Sequence, residues 1–190
     1  MTKKRYFASL EEVVHSAEEV GKEIEKMLEH LSTAQLNWKP NSDEWSVGQC
    51  IDHIIKVNSP YFPIVKNILA GKYQKNFLQS IPFLPGFWGN LIINAVKPET
   101  AAKVKARPNF VPTESSITAD IVKTFQQHQN QLLSLMKKSS SLPLESIIVT
   151  SPVAGFVTYD LYDAYSIITA HEQRHFQQAK RVIDRSEFPK

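Results

Sequence analysis

Apolar residues recur at three- and four-residue spacing over four long stretches of the chain, and each stretch reads as an amphipathic helix. The first opens behind Ser9, where Ser9 and Glu12 make an S-x-x-E capping box. Leu10, Val13, Val14, Ala17, Val20, Ile24, Met27, Leu28 and Leu31 continue it as one stripe of about six turns. Ser46 and Gln49 make a second capping box, with Trp45 in position to staple against the first turn. Val47, Cys50, Ile51, Ile54 and Ile55 follow; Pro60 and Pro63 predict a kink or restart near Ser59, and Gly71 a stop. A third helix is predicted from about residue 116 to 138, with Ile117, Ile121, Phe125, His128, Leu132 and Leu135 in phase. The fourth runs from near Thr158 to Asp184; Leu161, Ala164, Tyr165, Ile168, His171, His175, Ala179 and Val182 mark its inner side.

The intervening segments are less regular. Residues 32–45 read as a polar connector. Residues 80–113 form a proline-rich crossover with a short helix predicted over 87–96. A structureless loop of that length is unusual, so the crossover is expected to pack and to roof a pocket. In the connector 139–157, residues 147–149 have strand character but no evident pairing partner. No repeat or low-complexity tract is present. The pattern predicts an all-α four-helix bundle, one domain over residues 1–190, with the long crossover between its second and third helices.

Composition removes several functions. The chain is 42% hydrophobic and 22% charged, with a net charge of +3, which is weak for nucleic-acid binding. The densest basic stretch, 97–107, holds four cations and Glu99 and reads as a solvated loop. A single cysteine, Cys50, permits no internal disulfide and fits a cytoplasmic protein. The basic N-terminus lacks an apolar run behind it, and no stretch nears the roughly 18 apolar residues of a membrane span.

Six histidines carry the chemistry. His171-Glu172-Gln173-Arg174-His175 matches H-E-x-x-H. Four-residue spacing stacks His171 and His175 on one helix face, where both imidazoles reach one ion. The protease reading then fails. Its metzincin extension needs glycine at position 178 and histidine at 181, where this chain has Gln178 and Arg181. Its other form takes a glutamate from a downstream helix, but only fifteen residues follow His175, and Glu187 lies in a polar tail. A third ligand must come from upstream: His15, His30, His53 or His128. His15 and His30 fall off the apolar stripe and read as surface groups. His128 lies in phase with the core and reads as a hydrogen-bonded core histidine, with a fourth ligand or outer partner as the alternative. His53, which follows a well-capped helix start one turn after Gln49 and Cys50 and lies among isoleucines, is the best candidate. Glu172 offers a catalytic base, although its rotation of about 100° from His171 favours a solvated position. Gln49 and Gln178 could orient imidazoles, and Cys50 reads as a buried, inert thiol.

Two segments, EWSVGQCIDHIIKVN and SPVAGFVTYDLYDAYSIITAHEQRHFQQAKRVI, resemble the DinB/YfiT-like superfamily of metalloenzymes. Trp45, Ser46 and His53 match its Trp-Ser/Thr start and following histidine. Gly155, Thr158, His171, His175 and Gln178 match its closing motif, with Leu161 where an acidic residue is common and Asp160 one place early. The loop KARPNFVPTESS is similar to the family's K-x-P-x-x-x-x-P segment. The resemblance implies an up-down-down-up bundle and a divalent metal on His53, His171 and His175. Zinc or nickel is the first expectation, with iron or manganese next. It also implies a small-molecule substrate, homodimers, and either thiol S-transfer with a low-molecular-weight thiol cosubstrate or hydrolysis. A non-catalytic metal-binding stress protein is the alternative. From the weak charge and the lack of a long apolar run, neither a nucleic-acid partner nor a membrane partner is expected.

Overall fold

The computed structural model describes residues 5–81, 84–100, 106–113 and 116–190. The basic stretch 97–107 and the KARPNFVPTESS loop each fall partly outside them, as does the start of the N-terminus.

Helix α1 spans Leu10–Leu28 and is capped by Ser9, whose side chain accepts from the Glu12 amide. The return bond of the expected capping box goes elsewhere, since Glu12 accepts from the Ala8 amide at 2.6 Å. A short helix α2, Thr33–Asn37, corrects the expectation of a plain connector. It is opened by a complete capping box of Ser32 and Gln35. The box predicted at Ser46 and Gln49 is complete and starts α3, Val47–Asn58. The chain restarts at Pro60 as α4, Tyr61–Leu69, and stops at Gly71 with φ +67, a left-handed conformation natural to glycine.

The crossover contains α5, Leu84–Val96, three residues longer at its start than expected. Helix α6 covers Asp120–Lys138. The connector after it is corrected too. Strand β1, Ile148–Thr150, pairs antiparallel with β2, Thr158–Asp160. The missing partner was the segment assigned to the first turn of the last helix. Helix α7 therefore starts later, at Leu161, and runs to Ile183; Asp160 is its N-cap, accepting from the Asp163 amide at 2.7 Å.

The fold is all-α apart from this small ribbon. Tyr162 donates to the Phe7 carbonyl, so α1 and α7 start at the same end. Asn37 and Gln49 bond the carbonyls of Ile117 and Thr113, which brings the starts of α3 and α6 together at the other end. The directions are thus up, down, down, up. No helix among the described residues is long and apolar enough to cross a membrane.

The core is divided in two. One apolar cluster contains Val13, Ala17, Tyr61, Phe62, Leu132, Tyr165 and Ile168. The other contains Val20, Ile24, Ile51, Ile54, Phe125, Ala179 and Val182. Between them every long helix contributes something polar: the Ala17 carbonyl, Asn58, His128 with Gln129, and Glu172 with His175.

Candidate metal centre

His53 sits one and a half turns into α3, while His171 and His175 share one face of α7. The structure brings these three together. His53 Nε2 lies 3.3 Å from His171 Nε2, and His175 Nε2 lies 3.1 Å from the same atom. His53 and His175 are buried and His171 is half-buried. Among the described residues these three make a group whose ligand atoms all lie within 4.8 Å of one another.

The remaining ring nitrogens fix what the cluster can do. His53 Nδ1 donates to the Phe110 carbonyl at 2.6 Å, which leaves its Nε2 as a lone pair. His175 Nδ1 contacts Gln178 Oε1 at 3.0 Å, with the same consequence. Nε2 lone pairs therefore face one another around His171 and need a shared proton or a cation between them. His171 Nδ1 is buried without a hydrogen-bond partner. Zinc–imidazole bonds of roughly 2.0–2.1 Å at a tetrahedral angle put ligand nitrogens roughly 3.3 Å apart. The observed spacings fit that value, so the donor set suits a divalent cation.

Electrostatics keep the imidazoles in the ligand form. Burial, then the neighbouring imidazoles, hold His171 well below its usual value. Burial, then the charge of His53, brings His175 down to about 3. Burial also lowers His53, against the opposing pull of the Phe110 carbonyl. Neutral imidazoles at neutral pH bind metal without first losing a proton.

The loop that presents Phe110 is held by α3 itself. Gln49 donates to the Thr113 carbonyl at 3.1 Å, Asp52 accepts from the Thr113 amide at 2.7 Å, and Lys56 reaches Thr113 Oγ1 at 2.8 Å. These three share a face of α3 by helical spacing. Gln49 thus supports His53 through the loop and does not touch its ring. Trp45 does more than staple the helix. Its ring centroid is 4.8 Å from that of His53, and it stacks on His175 at 5.7 Å with 22° between planes. Arg174 donates to the carbonyls of Ala95, Lys97 and Thr100 at the end of α5, tying the crossover to α7 beside the histidines.

The other candidates lie elsewhere. His15 is exposed and pairs with Glu19, and His30 is exposed. His128 is buried against the Phe62 ring and 3.5 Å from Ser59 Oγ, outside the cluster. Burial takes it down to about 4. Cys50 is buried, its thiol pushed up to about 12 by desolvation, so it stays protonated. Glu172 corrects the solvated expectation, for it is completely buried. Its Oε1 accepts from Asn58 at 2.8 Å and its Oε2 from Gln129 at 3.3 Å. Burial raises its carboxyl to about 8, against the two amide donors. It is not part of the converging group. Sequence reasoning missed the Phe110 carbonyl, Asn58 and Gln129, since neither a backbone acceptor nor a lone amide leaves a pattern.

Residues 16–179 match the family model of the DinB superfamily. No curated protein and no solved structure matches the chain.

Proposed function

The chain belongs to the DinB superfamily, and from that premise we propose that it is a metal-dependent enzyme acting on a small molecule, by thiol S-transfer or by hydrolysis. The observation that carries this reading is the convergence of three Nε2 atoms at ligand spacing. A divalent cation held by His53, His171 and His175 would act as a Lewis acid and lower the pKa of a bound water or thiol. Three protein ligands leave positions for that water or thiol. Imidazole donors suit zinc, nickel, iron and copper alike; zinc or nickel is the ion proposed, with iron or manganese as alternatives.

The chain's own residues supply orientation. Phe110 and Gln178 set the tautomers of His53 and His175, so that both rings face inward. Trp45 walls one flank of the rings and limits water there. The loop 106–113 meets His53 through the Phe110 carbonyl, and the end of α5 is tied to Arg174. Glu172 is the residue that a zinc protease would use as base, but its oxygens are bonded to Asn58 and Gln129 inside the bundle. The H-E-x-x-H pattern therefore supports metal binding here and not proteolysis. A low-molecular-weight thiol is the proposed cosubstrate if the reaction is S-transfer.

The test is metal content of untagged protein, followed by reconstitution and an activity screen. Wild-type protein is expected to hold about one equivalent of metal. His53→Ala and His171→Ala should each lower affinity by more than the roughly 10–100-fold of losing an outer partner. Full occupancy in both variants would end the three-histidine reading. Metal binding without metal-dependent turnover on thiol–electrophile pairs, esters or amides would favour the non-catalytic metal-binding protein.

A further inference from the structure

Glu172 is completely buried, and a carboxyl group taken out of water needs hydrogen-bond partners in the protein. Its position shows what it does there. Asn58 Nδ2 donates to Glu172 Oε1 at 2.8 Å, joining α3 to α7. Gln129 Nε2 donates to Glu172 Oε2 at 3.3 Å and to the Ala17 carbonyl at 2.8 Å, joining α6 to α7 and to α1. Gln129 reaches that carbonyl because Gly21 stands beside it; a Cβ there would lie 2.7 Å from Gln129 Cγ. One hydrogen-bonded chain thus ties all four long helices at a single level. It is also the level at which the apolar core divides into two clusters.

The location matters for the histidines. Asn58 is five residues beyond His53 on α3, and Glu172 adjoins His171 on α7. The two helices that must bring His53 and His171 within 3.3 Å are therefore bonded to each other a turn and a half away. Apolar side chains pack acceptably in several registers, whereas a buried carboxylate accepts only the one that meets its donors. We propose that Glu172 is a positioning residue: with Asn58 and Gln129 it sets the register of α3 against α7, and thereby the geometry of the three imidazoles. The proposal rests on the reading of those imidazoles as a metal centre.

The experiment compares Glu172→Gln with the double variant Asn58→Leu/Glu172→Leu. Each is measured for apo thermal unfolding, for zinc affinity against a competing chelator, and for the imidazole 15N shifts of the metal-free protein. Glu172→Gln keeps one acceptor and gains an amide donor that Asn58 Oδ1 or Gln129 Oε1, both without a partner, can accept after an amide flip, so it is expected to bind zinc within about threefold of wild type. The double variant removes both members of the α3–α7 bond together. It should still unfold cooperatively, because an apolar replacement of a buried polar pair is tolerated. It should lose about tenfold or more in zinc affinity and shift the His53 and His171 resonances. Equal zinc affinity and unchanged shifts in the double variant would overturn the proposal. Loss of turnover in Glu172→Gln with zinc affinity intact would overturn it in favour of a base. If wild-type protein bound no zinc, the metal-centre reading would fail, and the imidazole shifts would still decide the register. Should the double variant not unfold cooperatively, Asn58→Ala, which removes only the α3 half of the bond, answers the same question.

Discussion

At the level of His53, α3 meets α7 through three imidazoles; at the level of Asn58 the same two helices meet through a carboxylate and an amide. Both layers are polar and buried, yet their needs differ. In the carboxylate layer the central acid is met within the protein, because Asn58 and Gln129 donate to both oxygens of Glu172, while Asn58 Oδ1 and Gln129 Oε1 go without a partner. In the histidine layer the central group is not met. The outer nitrogens of His53 and His175 are met by Phe110 and Gln178, that of His171 has no partner, and the inner nitrogens face one another. A polar layer whose central group is met within the protein fixes structure, and one whose central atoms need a guest is a site.

The contrast breaks most sharply at the histidines. His171→Ala removes the nitrogen that the other two share, and stoichiometric metal should disappear; metal analysis after dialysis reads the result. The next largest effect is expected from Gln178→Ala, which frees the His175 tautomer. Metal affinity should fall roughly 10–100-fold, with the apo melting temperature almost unchanged. Asn58→Ala should show the opposite balance in the carboxylate layer. It leaves Glu172 short of a donor and should cost about 1–3 kcal/mol in urea unfolding of the apo protein.

The smallest effect at neutral pH sharpens the comparison from a third buried position. His128 has Ser59 Oγ 3.5 Å from its Nδ1 but no partner at Nε2, and burial brings its pKa down to about 4. In the unfolded chain it titrates near its ordinary value of 6.5. Below that pH the unfolded chain takes up a proton that the folded protein refuses. The stability contributed by neutral His128 is therefore complete above about 6.5 and is lost as pH falls toward about 4. His128→Leu should flatten the difference in urea stability between pH 7 and pH 4.5, by a few kcal/mol at most. Equal pH dependence in variant and wild type would show that burial does not depress the His128 pKa in the folded protein.

Much of this architecture is local and could be read along the chain. Capping at Ser9 and Ser46, the restart at Pro60 and the stop at Gly71 depend on residues a few positions apart, so the periodicity and caps displayed them. The S-x-x-Q signal of α2 was equally legible at Ser32 and Gln35, in a segment whose polarity suggested a plain connector. The H-x-x-x-H pair is likewise a property of one helix, and the choice of His53 followed from its place among isoleucines.

What the sequence determined by itself was the set of helices and which face of each is apolar, because both follow from contacts within about one turn. Only the tertiary structure decided which distant groups meet. It paired β1 with β2, set the Phe110 carbonyl on His53, left His128 beside Phe62, and turned Glu172 inward toward Asn58 and Gln129. Those outcomes depend on how four helices are rotated and shifted against one another, and that packing involves residues more than a hundred positions apart.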